Sequence, residues 1–101
     1  MITTKQRAFL RGLANPLEPV FQIGKGGITP NLVVQVKDAL AAREMIKLSV
    51  LETSPITAKE AANELAVSAT ADVVQVIGRK FTLYKKNEKE PKIELPRVSR
   101  K

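Results

Sequence analysis

The 101-residue chain contains no cysteine and no histidine. Without cysteine there are no disulfides and no thiolate metal ligands. Without histidine, the commonest acid–base catalyst and the commonest metal ligand are lost together. No apolar run approaches the roughly 18 residues that a membrane-spanning helix needs. The opening MITTKQRAFLRG has no apolar core before its charges resume, so no export signal is expected. Hydrophobic residues make up 44% of the chain and charged residues 27%, a globular rather than a disordered balance. The expectation is one soluble, monomeric domain in the cytoplasm, with no membrane partner, no small-molecule substrate and no cofactor.

Positive charge is abundant, and it is unevenly placed. The formal net charge is +7, and nine of the seventeen basic residues fall between Arg79 and Lys101, against three of the ten acidic ones. A basic end on a nearly neutral body is a common footprint of nucleic-acid binding. The same run also fits a solubilising tail.

Hydrophobic periodicity and turn signals give an alternating order of elements. Residues 3–14 place Phe9, Leu10 and Leu13 at helical spacing, with Thr3 or Thr4 as N-cap. Asn15-Pro16 ends that helix, and VFQI (20–23) reads as a short strand. Thr29-Pro30 reads as an N-cap followed by proline at the first helical position, and Leu32, Val33, Val36, Ala39 and Leu40 form that helix's buried stripe. MIKLSVL (45–51) alternates Ile46, Leu48 and Val50 with Lys47 and Ser49, as a half-buried strand does. Thr57 and Glu60 have capping-box spacing ahead of a third helix over 57–67. Two strands follow, near Val73–Ile77 and Phe81–Lys85, with Gly78-Arg79 as a tight antiparallel turn. The predicted fold is α/β, a single domain of order αβαβαββ, with three helices and a four-stranded mixed sheet. Residues 1–86 form the domain, and residues 87–101 a basic, extended and solvated tail.

Between the first strand and second helix lies GKGG, Gly24 to Gly27. It is no P-loop, since GxxxxGK[ST] does not occur. It is no dinucleotide fingerprint either, because Thr29 occupies the last glycine position. It does fit Gly-x-x-Gly. Small residues let main chain approach a sugar–phosphate backbone, the following helix N-terminus favours phosphate, and Lys25 adds a full charge. KH domains clamp about four nucleotides with such a loop. A plain strand-to-helix turn is the alternative. Further candidate RNA contacts are Lys5, Arg7 and Arg11 on the first helix, Arg79 and Lys80 at the hairpin turn, and Lys85 and Lys86 after it. Phe81 and Leu83 read as core. Tyr84 fits either an ordinary edge or partly buried residue or a base-stacking platform. Glu60 and Glu64 are the only carboxylate pair at helical spacing that bears on catalysis, and without histidine or cysteine they read as a solvated face, so no enzyme is expected.

The stretches KQRAFLRGLANPLEPVFQIGKGGITPNLVVQVKDAL, AAREMIKLSV and VVQVIGRKFTLYK resemble the CRM domain (chloroplast RNA splicing and ribosome maturation). They are most similar to its one-domain bacterial members of the YhbY type, over about Lys5 to Lys86 and weakly into KIELP. The resemblance implies a fold similar to the C-terminal half of translation initiation factor three, with the Gly-x-x-Gly loop on RNA. It also implies association with precursors of the large ribosomal subunit. Gly26 departs from the family, where a polar or basic side chain is commoner, which points to a looser loop with Lys25 as its only charge. The implied function is non-catalytic binding of ribosomal RNA during assembly. The alternative is a protein-interaction or translation-factor-like domain with a solubilising tail.

Overall fold

Thr3, rather than Thr4, opens helix α1 (Thr4–Ala14) in a computed structural model that describes residues 2–87 and Ile93. Its hydroxyl accepts from the Gln6 N–H at 3.1 Å, and the Gln6 side chain accepts from the Thr3 N–H at 3.0 Å. That capping box satisfies two amides which the first helical turn leaves open. Helix α2 (Pro30–Arg43) starts the same way at one end only, with Thr29 Oγ1 accepting from the Leu32 N–H at 3.1 Å and Pro30 just inside. Helix α3 (Ala58–Ala69) has a full box between Thr57 and Glu60. It runs two residues beyond the expected end, until Thr70 turns left-handed at φ 55°.

The strands are β1 (Phe21–Ile23), β2 (Met45–Val50), β3 (Asp72–Ile77) and β4 (Lys80–Tyr84). They lie in the order β1-β2-β4-β3. The β1–β2 pair is parallel and the other two are antiparallel, giving the expected mixed sheet. A parallel pair needs a crossover, which α2 supplies, whereas β3 and β4 join through Gly78-Arg79 with Gly78 at φ 59°.

Helices cover both faces of this sheet. On the first, Ile46, Leu48, Phe81 and Leu83 pack against Val36 and Leu40 of α2 and the alanine-rich side of α3. On the second, Met45, Val74 and Tyr84 pack against Ile2, Leu10 and Ala14. The second core corrects three expectations. Tyr84 is only 2% exposed, so it is buried more fully than the edge or partly buried residue expected, and it is no stacking platform. Lys47, expected on a solvent face, is 9% exposed because the chain leaving α1 passes over β2. Within α1 it is Leu10 and Ala14 that are buried, while Phe9 and Leu13 stay 40% exposed.

Glu44 ends α2 at φ 67°, a region that non-glycine residues seldom occupy, and is fully buried. Its carboxylate accepts from the backbone N–H groups of Asn87 and Ile93, each at 2.6 Å. Ile93 is half-buried against the second core, which corrects the expectation of a solvated tail at that position. Residues 88–92 and 94–101 of the expected tail lie outside the described residues.

Candidate nucleic-acid interface

β1 stops at Ile23, whose carbonyl accepts from the Leu51 N–H at 2.8 Å just past the end of β2. The chain then folds back on itself. The Gly27 N–H donates to Gly24 O at 3.0 Å, closing a turn with Lys25 and Gly26 exposed at its tip. Thr29 and the N-terminus of α2 follow at once, so the positive end of the helix dipole lies next to the turn.

The three glycines are not equivalent. Gly27 has φ +65°, and a Cβ there would meet Pro55 Cγ at 3.3 Å, so both backbone and space demand glycine. A Cβ on Gly24 would meet Leu51 Cδ1 at 3.5 Å, and one on Gly26 would meet only Thr29 Cγ2 at 4.0 Å. Both are ordinary contacts at φ values that any residue adopts. The fold therefore requires one glycine of the three. The segment from Leu51 to Pro55 backs the turn, and the Ser54 N–H donates to Leu51 O at 3.0 Å. The geometry is a closed turn with that segment behind it.

The β3–β4 turn lies at the same end of the sheet, since the Val50 N–H donates to Arg79 O at 2.7 Å. Arg79 pairs with Glu52 at 3.2 Å, both side chains being well exposed. Such surface pairs are worth roughly 0–1 kcal/mol, so Arg79 is readily released to another anion. Lys80 begins β4 on the second face and is exposed. Only β2 separates β1 from β4, which puts about 10 Å between the glycine turn and the hairpin by normal strand spacing.

The remaining candidates lie elsewhere. Lys85 and Lys86 follow the far end of β4, where Tyr84 pairs with Met45 and Asp72. Arg7 is at that far end too, half-buried, with its Nε donating to Val73 O at 3.2 Å, so it ties α1 to β3. Lys5 and Arg11 are exposed to either side of it along α1. With about 3.3 Å per residue, the two ends of β4 are some 13 Å apart. The basic residues thus divide into a group around the glycine turn (Lys25, Arg79, Lys80) and a group at the opposite end. The wall from Leu51 to Pro55 carries no sequence signal beyond its turn residues, because its role depends on which loop folds against it. Glu60 is used in capping, its Oε1 accepting from the Thr57 N–H at 2.9 Å. Among the described residues no group of acidic side chains could hold a metal, and no helix is long and apolar enough to cross a membrane.

Comparison with known proteins gives a consistent result. Residues 2–85 match the model of the CRS1 / YhbY (CRM) domain. "Probable RNA-binding protein YqeI" of Bacillus subtilis is 43% identical over 96 residues, covering 95% of this chain and all of that one. An RNA-binding protein of Haemophilus influenzae is 38% identical over 96 residues, covering 95% of this chain and 96% of that one. The solution structure of a Staphylococcus aureus protein, 40% identical, superposes with a TM-score of 0.77 over 95% of this chain and all of that one. The mixed sheet and these matches are those of one family, and the chain belongs to it, the CRS1 / YhbY (CRM) domain family.

Proposed function

We propose that this protein is a non-catalytic RNA-binding module, that its partner is ribosomal RNA in precursors of the large subunit, and that it assists their assembly in the cytoplasm. One observation carries the reading: Gly24 and Gly26 are small where the fold has no need of it, beside an exposed lysine and a helix N-terminus. A bare backbone at such a place lets phosphate come within hydrogen-bond distance of main-chain N–H groups. Lys25 supplies charge, and Arg79 exchanges Glu52 for a second phosphate. Relatives named as RNA-binding proteins support RNA as the class of ligand. Nothing in this arrangement activates a nucleophile, so nucleotide hydrolysis is expected to be absent.

Gly26→Asp separates binding from folding, because its side chain enters open space while its charge repels phosphate. Circular dichroism should be unchanged and affinity for structured ribosomal RNA should fall steeply. Lys25→Ala should weaken binding modestly and lower the salt slope by about one unit. If Gly26→Asp binds as tightly as the parent, the turn is only a turn. For the assembly role, a tagged protein sedimented from growing cells should travel with large-subunit precursors rather than with translating ribosomes.

A further inference from the structure

On the second face of the sheet, past the end of α1, a cavity of about 200 Å³ is lined by Asn15, Lys47, Gln75, Ile77, Lys80 and Thr82. Its contents are unusual for a purely structural feature. Thr82 is fully buried, and its hydroxyl has no hydrogen-bond partner among the described residues. Buried hydroxyls without partners are destabilising and rare in native proteins. Lys47 is 9% exposed, yet its ammonium has a single long hydrogen bond, to Asn15 O at 3.5 Å. The one ion pair formed between described residues is that of Arg79 with Glu52, so Lys47 has no carboxylate partner there. A nearly buried cation is normally paired. No acidic side chain lines the cavity, while two lysines, two amides and a hydroxyl do.

Position adds to chemistry. Lys47 lies opposite Thr82 in the β2–β4 register, and Lys80 follows directly on Arg79 of the hairpin turn. The cavity therefore continues, round the edge of the hairpin, the basic surface that starts at Lys25.

We infer that this cavity is a phosphate site, and that it takes a backbone phosphodiester of the RNA held by the glycine turn. The inference rests on the RNA-binding reading above. Phosphate would give the Lys47 ammonium its missing counter-charge, and an acceptor for Thr82 Oγ1 and the Gln75 amide. Exposed Ile77 at the rim suits the apolar face of a ribose.

Two measurements test this. In amide-resolved NMR, inorganic phosphate alone and a single-stranded RNA should both shift Lys47, Gln75 and Thr82, with RNA acting at far lower concentration. In anisotropy titrations, Lys47→Gln should weaken RNA binding about tenfold and lower the salt slope by about 0.7, the value for one single-strand phosphate contact. Thr82→Val should weaken binding at least threefold (about half a decade in Kd), while the thermal midpoint holds or rises as the orphan hydroxyl is removed. Should Lys47→Gln fail to fold, Thr82→Val decides alone, since lost affinity with retained stability cannot come from a damaged core. If both variants bind within twofold of the parent while Gly26→Asp loses binding, the cavity proposal is overturned and the glycine-turn reading stands. Conversely, pocket variants that lose binding while Gly26→Asp retains it would uphold the cavity and remove the turn. Phosphate shifting these amides while RNA leaves them unmoved would also overturn the proposal, leaving a site for a free anion.

Discussion

Gly24, Gly26 and Gly27 look alike in the sequence, but they divide by backbone angle and by what stands behind them. Gly26→Ala fills open space at an ordinary φ, so it should raise stability by about 0.4–1 kcal/mol through a less flexible unfolded chain. It should still weaken RNA binding several-fold. Gly27→Ala puts a side chain in the left-handed region and against Pro55, and should lower stability by about 1–2 kcal/mol. Thermal melts of the two variants should therefore move in opposite directions. Equal shifts would mean that the turn has no such division of roles. The Gly-x-x-Gly spacing was legible at once. The division was not, because the sign of φ at Gly27 is set by a wall some 25 residues further along. Arg7 and Arg11 show the same limit, since their one-turn spacing suggests equal roles. Arg7 is bonded to Val73 O, so Arg7→Ala should lose about 1 kcal/mol of stability, whereas Arg11→Ala should lose little. Urea titrations of both variants make the comparison.

At the scale of elements, helices were read more accurately than faces. Each helix start is a local event of a few residues, written as Thr3 with Gln6, Thr29 with Pro30, and Thr57 with Glu60. Thr57→Ala removes the acceptor for the Glu60 N–H and the hydroxyl donor to Glu60 Oε1, and leaves the backbone N–H bond to Glu60 in place, so it should cost about 1 kcal/mol. For a domain of this size that is a fall of about 4–8 °C in midpoint by calorimetry. Which face of a strand is buried is a different kind of question. The alternation along β2 was correct about Ile46, Leu48 and Val50, since α2 and α3 lie on that side. It failed at Lys47, and Tyr84 on β4 is likewise buried, because a second layer closes the other side. Period two shows that residues alternate, and cannot show how many layers cover them.

At the scale of the whole molecule, one buried carboxylate takes part in joining the described C-terminal residues to the core, beside the packing of Ile93 and a bond from the Asn87 amide to Ala41 O. Glu44 is buried and takes the N–H groups of both Asn87 and Ile93. A chain ending at Lys86 should thus be less stable by about 1–3 kcal/mol per lost donor, besides losing long-range attraction for RNA. Replacing Lys89, Lys92, Arg97, Arg100 and Lys101 by glutamine separates the effects, since it removes charge and leaves both backbone donors. That variant should keep the parent's urea midpoint while its non-specific RNA affinity falls. Equal destabilisation of the two would show that the segment acts through charge alone.

The strand order has a consequence for how the protein is made. β4 is the last strand among the described residues, yet it lies between β2 and β3 and bonds to both. During synthesis the first three strands emerge with no partner for β3, and β2 has only the three-residue β1 beside it. The first core lacks Phe81 and Leu83, and the second lacks Tyr84, until β4 is in place. A nascent chain arrested before β4 clears the exit tunnel should therefore be cut throughout by added protease, and one arrested well beyond Ile93 should resist it. On this strand order, folding of the domain is expected to follow release of β4 from the tunnel.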